Sequence, residues 1–383
     1  MRTTFGESAV RALTALLAAA CAAAAQAQTA PSYVIEDLGV LSGDNESLAV
    51  ALNSSGKAVG RSKVTGGFFK AVYWSGAAPA DLAAIIGEQT SLASGINDAG
   101  HLTTLAGFTS PTSTTGTTAH FWNGTSLTDI GAVGAGTPTG FPRSIGNDIN
   151  NLDQVVGRAW TASGSTGEYC AFSWQGGVLT DLDTLPGCTE SEALGVNDNG
   201  QIVGVATGGI CLPTQGIVWP SKDAAPVSIN ATLALASISD NIVRAVDVND
   251  SGTVLAQRVA GGKGRCVIFS QSPSPTVTDI GFIGANGLLE TCAPGRINSF
   301  GEVVATQTGT PDSSALLYSD GVLHDLNSLV DPSSPGTWNL TAAYDINDAG
   351  TIVGQGRING QLHAFRATRV SGTNGVVAIE DSI

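Results

Sequence analysis

Short apolar segments rich in Val, Ile and Ala alternate along the chain with polar turns that contain Asn, Asp and Gly. In GINDAGHLTT, GVNDNGQIVG and DINDAGTIVG an apolar residue precedes the Asn, and a second apolar segment follows the turn. Strong helix formers are scarce beyond the first 25 residues. Because β-branched residues favour strands and Asn, Asp and Gly favour turns, this pattern predicts an all-β fold with many short strands.

The Asn of these turns marks an internal repeat. Its positions are Asn53, Asn97, Asn150, Asn197, Asn249, Asn298 and Asn347, which lie 44, 53, 47, 52, 49 and 49 residues apart. The chain therefore contains seven similar units.

Two other marks recur at the same pitch. One is an Asp in segments such as EDLG and TDIG, at Asp37, Asp81, Asp129, Asp181, Asp279 and Asp325, with Ser228 in the remaining unit. The other is an aromatic segment: AVYW, AHFW, AFSW, GIVW, VIFS, LLYS and HAFR. Each unit thus predicts four strands: A before the Asn, B after the turn, C with the aromatics and D with the Asp. Four strands every 40–50 residues or so are typical of a β-propeller blade.

The two ends of the repeat region complement each other. Residues 33–39 (YVIEDLG) form a lone strand D, and the seventh unit has a strand C at 363–368 but no strand D. We therefore predict a seven-bladed β-propeller of four-stranded antiparallel blades over residues 28–368, closed by the N-terminal strand and followed by a tail, 369–383. An open β-solenoid or a pair of sandwiches is the alternative, but neither needs such complementation.

The repeats resemble those of the HAF-repeat extracellular proteins of bacteria. The resemblance covers about residues 33–368 and is carried by DLGVLSG, GVNDNGQIVG and INDAGTIVGQGRINGQLHAF. The intact His-Ala-Phe is His363-Ala364-Phe365, and Ala119-His120-Phe121 and Cys170-Ala171-Phe172 are variants. The resemblance implies secretion and supplies no catalytic residues, because the family is defined by its repeats.

Residues 1–27 have the features of a secretory signal peptide. Arg2 and Arg11 precede or flank a short apolar run that ends in Ala25-Gln26-Ala27. We expect an extracellular or periplasmic protein with no membrane insertion of the mature chain. Cleavage after Ala27 would change the net charge from −15 to −16. A chain with so large a negative charge and no run of basic residues argues against a nucleic-acid partner.

Five cysteines follow the signal peptide: Cys170, Cys188, Cys211, Cys266 and Cys292. An odd number leaves at least one free thiol, and the absence of a CxxC pair disfavours zinc. Cys188 could pair with Cys170 or with Cys211, and Cys266 with Cys292. The sequence leaves the choice open.

The Asn-Asp-Xaa-Gly motif could indicate a metal loop or a turn. Asp153 occupies the Gly position in one unit, and Ser54 and Ser299 occupy the Asp position in two others. A turn tolerates these changes better than a set of metal ligands does. We therefore predict structural turns at Asn97, Asp98, Gly100, Asn197, Asp198, Gly200, Asn347, Asp348 and Gly350, and no metal site. The recurring Asp of strand D is similarly predicted to cap a turn.

No catalytic signature is present. The chain lacks Gly-Xaa-Ser-Xaa-Gly and His-Glu-Xaa-Xaa-His, and nothing indicates a cofactor. A glycosidase needs only two carboxylates, and Glu190, Glu192, Asp312 and Asp331 are candidates in predicted loops. An extracellular carbohydrate-active enzyme is therefore the alternative function.

In a blade of up-and-down strands, the A–B and C–D turns share one face of the disc and the longer B–C and D–A loops share the other. We call these the Asn-turn face and the long-loop face. Trp74, Trp122, Trp174 and Trp219 share one repeat position, which predicts packing between blades. Trp160, Trp338, Phe108 and Phe141 lie outside that position, in predicted long loops. We therefore expect a non-catalytic protein that binds an extracellular glycan or protein through these aromatics.

Overall fold

The computed structural model describes residues 30–76, 78–87, 91–106, 118–133, 144–160, 168–283, 291–309 and 313–371. The expected signal peptide lies outside the described residues. So does the tail from residue 372 onward.

The fold is a ring of seven four-stranded antiparallel sheets, so the predicted seven-bladed propeller is confirmed. The A strands are β2 (Glu46–Leu52), β6 (Ser91–Ile96), β10 (Ser144–Ile149), β14 (Glu190–Val196), β18 (Ile242–Val248), β22 (Thr291–Ile297) and β26 (Trp338–Ile346). The B strands are β3 (Ala58–Lys63), β7 (Leu102–Ala106), β11 (Val155–Trp160), β15 (Ile202–Gly208), β19 (Val254–Ala260), β23 (Val303–Thr308) and β27 (Ile352–Ile358).

The outer half of each blade consists of strands C and D. The C strands are β4 (Lys70–Trp74), β8 (Thr118–Trp122), β12 (Tyr169–Gln175), β16 (Cys211–Trp219), β20 (Lys263–Ser270), β24 (Ser314–Ser319) and β28 (Gln361–Ser371). The D strands are β5 (Pro79–Asp81), β9 (Leu127–Asp129), β13 (Val178–Asp181), β17 (Val227–Ser228), β21 (Thr276–Asp279), β25 (Val322–Asp325) and β1 (Ser32–Gly39). Short helices follow three D strands: Ala83–Ile86, Ile229–Leu235 and the 3-10 helix Leu326–Leu329. We number the blades 1 to 7 from β2 to β26.

Blade 7 is completed by the first strand of the chain. Its strand order is β26-β27-β28-β1, and β1 pairs antiparallel with β28, with Tyr33 opposite Arg369 and Asp37 opposite Phe365. The N-terminal strand therefore closes the ring, as predicted. Each A strand also contacts the A strands of both neighbouring blades, which places the A strands around the central axis.

The hydrophobic core consists of seven separate clusters, one at each interface between blades. Trp74 lies between blades 7 and 1, Trp174 between blades 2 and 3, and Trp219 between blades 3 and 4. Burial of apolar surface therefore holds the blades to one another rather than stabilising each blade alone.

A recurring glycine in strand B accommodates a bulge in strand A. In blade 4 the register shifts between Ala193 and Gly195, and a Cβ at Gly204 would overlap the carbonyl oxygen of Glu192. Only glycine leaves room for that oxygen. This steric requirement explains the Gly that ends the repeated Val-Val-Gly and Ile-Val-Gly segments.

The Asn of each A–B turn closes its own turn. Its Oδ1 accepts from the main-chain N–H four residues later, for example from Gln201 to Asn197 at 2.9 Å. The same bond occurs in all seven turns. The main-chain N–H of Gly200 donates to the carbonyl of Asn197, and Gly200 has φ +78°. Where Asp153 replaces this Gly, it adopts φ +59°.

The other half of each Asn amide joins neighbouring blades. Nδ2 donates to the main-chain carbonyl of the Asn in the next blade: Asn53 to Asn97 (3.2 Å), Asn97 to Asn150 (3.1 Å), Asn150 to Asn197 (2.9 Å), Asn197 to Asn249 (2.9 Å), Asn249 to Asn298 (2.9 Å), Asn298 to Asn347 (3.2 Å) and Asn347 to Asn53 (3.1 Å). These bonds form a closed circle, the Asn ring. An amide can accept in its own turn and donate to the next blade at once, whereas the carboxylate of an Asp can only accept.

Two disulfides join described cysteines: Cys188, in the loop that leads into blade 4, pairs with Cys211 of β16, and Cys266 of blade 5 pairs with Cys292 of blade 6. Cys170 is in no disulfide. Cys266 and Cys292 occupy the positions that Ala71 and Ser91 occupy in blades 1 and 2, where the Ala N–H donates to the Ser Oγ at 3.0 Å. A covalent bond therefore replaces a hydrogen bond at one interface. None of the described helices is long and apolar enough to cross a membrane.

We predict that Asn197→Asp lowers the free energy of unfolding by about 2–4 kcal/mol, because it retains the turn acceptor but places a second acceptor against the buried carbonyl of Asn249. Asn339→Asp, at an exposed position of β26 whose side chain donates to none of the described residues, should change stability by less than about 1 kcal/mol. Urea denaturation followed by tryptophan fluorescence measures both. Equal stability of the two variants would contradict a structural role for the ring.

Candidate functional site

A central pocket of about 240 Å³ opens among the Asn turns. It is lined by seven carboxylates and one guanidinium: Asp98, Asp148, Asp198, Asp247, Asp250, Asp345, Asp348 and Arg296. By charge alone this is a candidate for a cation site or for acid–base chemistry. The hydrogen bonds of these carboxylates also show a structural role.

Each of these carboxylates accepts a main-chain N–H from a neighbouring blade. Four belong to the turns and accept from the preceding blade: Asp98 from Ser54, Asp198 from Asn151, Asp250 from Asp198 and Asp348 from Ser299, at 2.8–2.9 Å. Three lie in strand A and accept from the following blade: Asp148 from Val196, Asp247 from Ile297 and Asp345 from Leu52, at 2.8–3.0 Å. The pocket carboxylates therefore connect the blades. No cluster of three or more metal-ligating side chains occurs in the described parts of the chain.

The two kinds of bond compensate for each other. Ser299 and Ser54 occupy the Asp position of their turns, and within the described chain neither accepts the turn N–H of the preceding blade. These are the interfaces between blades 5 and 6 and between blades 7 and 1. There, Asp247 and Asp345 supply the strand A bond instead. Between blades 2 and 3, Asn151 occupies the Asp position and its Oδ1 accepts from the Asp98 N–H at 2.9 Å. Every interface thus has at least one side-chain oxygen bonded to a neighbouring main-chain amide.

Arg296 spans the axis of the ring. From blade 6 it contacts Asp247 of blade 5 and Asp148 of blade 3, each at 3.0 Å. Burial opposes its charge, but Asp148 and Asp247 outweigh burial and raise the Arg296 pKa. Burial raises the pKa of Asp148 to about 6 and that of Asp345 to about 7, although Arg296 opposes both shifts. The centre of the disc is therefore occupied by a buried ionic cluster.

The predicted aromatic residues lie in different settings. Trp160 ends β11 rather than lying in a loop, and only 9% of its surface is exposed. Trp338 begins β26; its indole N–H donates to the carbonyl of Pro335 at 3.1 Å, and its ring packs edge-on to Phe365. Both are thus packed against the blades more than their sequence positions suggested. Phe108 and Phe141 lie outside the described residues.

Trp160 belongs to an aromatic–arginine cluster on the long-loop face. Its ring contacts Tyr169 at a centroid distance of 5.8 Å, and the Arg158 guanidinium lies 5.1 Å from Trp160 and 4.9 Å from Tyr169. Arg158 also pairs with Glu192 at 3.2 Å. Tyr169 and Glu192 line a cleft of about 320 Å³ that extends to Arg244. We call this the Tyr169 cleft.

Sequence inspection missed Tyr169 and Arg158 because neither occupies a repeated position or a motif. Only their positions relative to Trp160 indicate them. Arg158 is two residues from Trp160 on β11, and Trp160 pairs with Tyr169 across the hairpin. Alternate residues of a strand share a face, so the cluster could have been inferred once the strand pairing was known.

The predicted acidic candidates separate into two groups. Glu190 and Glu192 lie two residues apart on β14, not in a loop. Burial, and then Glu168, raise the Glu190 pKa, whereas Glu192 is paired with Arg158. Asp331 lies elsewhere and accepts from the hydroxyls of Ser32 and Ser333. Asp312 is outside the described residues.

No model of a known protein family matches the chain, and no curated protein sequence does either. Two solved structures show the same kind of propeller. The acylaminoacyl peptidase of Pyrococcus horikoshii has a TM-score of 0.53 at 9% identity, over 88% of this chain and 54% of its own. The β-propeller domain of the Trilobed protease from Pyrococcus furiosus has a TM-score of 0.53 at 9% identity, over 90% of this chain and 99% of its own.

These similarities show the fold alone, because the identity is so low. This chain spans about half the length of the peptidase. The Trilobed protease domain is described as having an open velcro topology, whereas here β1 pairs with β28.

We predict that the buried cluster makes stability fall as the pH rises from about 4 to about 7. Asp345 is protonated in the folded state up to about pH 7 but ionises near its usual pKa of 3.8 when unfolded, so the folded state binds more protons in this range. Asp345→Asn should flatten this dependence, and Asp223→Asn, in an exposed ion pair, should not. Denaturation midpoints at several pH values measure the slopes. A slope unchanged by Asp345→Asn would contradict the assignment.

Proposed function

We propose that this protein is a secreted, non-catalytic β-propeller of the HAF-repeat type that binds an extracellular or cell-surface glycan or protein through its long-loop face. The propeller itself is shown by the structure. Two disulfides fit an oxidising compartment, and the N-terminal segment fits export.

The observation that carries the proposal is the contrast between the two faces. On the Asn-turn face, the carboxylates of the central pocket are bonded to main-chain amides of adjacent blades. On the long-loop face, Tyr169 lines an open cleft, and its ring contacts both Trp160 and Arg158. Aromatic rings fixed in this way stack on sugars or on a partner's side chains without losing much conformational entropy.

We predict that Tyr169→Ala weakens binding about tenfold or more, because it removes the aromatic wall of the cleft. Trp160→Ala should weaken binding through loss of the support beneath Tyr169, and Trp338→Ala tests the second predicted tryptophan. A glycan array, followed by titration of the bound glycan, measures each effect.

The matched control is Phe300→Ala, which removes an aromatic that is 62% exposed in an A–B turn on the opposite face. It should leave binding unchanged. If neither glycans nor extracellular proteins bind, or if Phe300→Ala weakens binding as much as Tyr169→Ala, then the long-loop face is not the binding face.

A carbohydrate-active enzyme is the second candidate, favoured by Glu190 and Glu192. Alternate residues of a strand project from one face with Cα atoms about 6–7 Å apart, and glycosidases pair an acid of raised pKa with an ionised carboxylate. In this case, the protein would release reducing ends from a bound glycan, and Glu190→Gln and Glu192→Gln would each abolish the release. Binding without release excludes this activity for that glycan.

A further inference from the structure

A second cleft of about 220 Å³ lies on the long-loop face, where blade 7 meets blade 1. Leu48, Arg61 and Phe69 of blade 1 line it together with Gln355 and Leu362 of blade 7. We call it the Arg61 cleft. Its size suits a group of about one sugar ring, since pockets for drug-sized ligands begin near 300 Å³.

Arg61 differs from the other half-buried arginines of the described chain. Arg258, Arg296 and Arg369 each meet one or two carboxylates. The guanidinium of Arg61 forms no hydrogen bond or ion pair with any described residue and instead lies 4.1 Å from the ring centroid of Phe69. Burial lowers its pKa, and Tyr344 opposes that shift. Desolvation of this cation is therefore only partly compensated, which leaves it ready to accept an anionic partner.

The other polar groups of the cleft fit one singly charged anionic group of a ligand rather than a dianionic group. Lys63 lies 4.8 Å from Phe69 and pairs with Glu46 at 3.1 Å, so this lysine is already neutralised. Arg61 is left as the single uncompensated cation of the lining, within a protein whose net charge is −15. A phosphate dianion would face the carboxylate of Glu46, whereas a carboxylate matches the planar fork of one guanidinium.

The remaining walls combine apolar and polar surface. Leu48 and Leu362 supply the apolar part. Gln355 supplies a side-chain amide, whose Nε2 donates to the carbonyl of Ser47 at 2.9 Å. Phe68, 57% exposed, lies next to Phe69 in the same loop. Such a mixture suits a sugar ring, which has apolar faces and hydroxyl edges.

We propose that the Arg61 cleft binds the carboxylate of an acidic saccharide, such as a uronate unit, with Arg61 as the charged donor. This deepens the proposed function and rests on its assignment of binding to the long-loop face. It does not depend on the Tyr169 cleft.

Calorimetric titration of the full chain with trigalacturonate tests the proposal, with the methyl-esterified trimer as the uncharged analogue. We expect binding of the free acid, with the ester and Arg61→Gln each about tenfold or more weaker, because both remove a charge-assisted hydrogen bond. Lys222→Gln removes one positive charge from a C–D turn on the opposite face and should change affinity less than about twofold. Arg61→Gln should retain the wild-type denaturation midpoint.

Four results would overturn the proposal: no binding of the acid, equal binding of acid and ester, wild-type affinity of Arg61→Gln, or displacement of the trimer by acetate or inorganic phosphate at concentrations equal to its own. The last would mean that the cleft recognises a small anion rather than a saccharide. Neutral glycans that bind in a Tyr169-dependent manner would preserve the proposed function even if trigalacturonate fails. Trigalacturonate binding that depends on Arg61 but not on Tyr169 would support the Arg61 cleft as a site separate from the Tyr169 cleft.

Discussion

The closed Asn ring is the constraint on which the rest of this fold depends. Seven side-chain amides, each bonded to its own turn and to the next blade, hold the inner strands at a fixed spacing around the axis. The apolar clusters lie between the same pairs of blades that these hydrogen bonds join. A ring of this kind has no free end, so a defect at one junction affects both neighbouring blades.

Much of the architecture could be predicted from sequence because it repeats. The Asn positions, the aromatic segments and the lone strand at the N-terminus together gave the blade number and the closure. The inter-blade role of the Asn could not be read from the same pattern, because the donor Asn53 and its acceptor Asn97 are 44 residues apart and only ring closure brings them together. The presence of Asn rather than Asp at all seven positions did indicate that a donor is needed, because an Asp could accept in the turn but could not donate.

The candidate sites were harder to predict because they depend on residues that break the repeat. Trp160 lies outside the repeated Trp position, but its burial and its contact with Tyr169 follow from the hairpin register. Arg61 has no unusual sequence context at all. Its guanidinium lies against an aromatic ring and is bonded to no acceptor among the described residues, and such an environment is a property of three-dimensional packing. For the carboxylates of the central pocket, the sequence suggests a chemical role, whereas the structure shows that they bond to main-chain amides of neighbouring blades.

The pairing of β1 with β28 has a consequence for biosynthesis. Tyr33 is among the first residues of the propeller to leave the ribosome, and its partner Arg369 is among the last. Blade 7 therefore cannot form during synthesis, and the Asn ring cannot become continuous until translation of the propeller is complete. Until then β1 has no partner strand, and no closed ring of blades can exist.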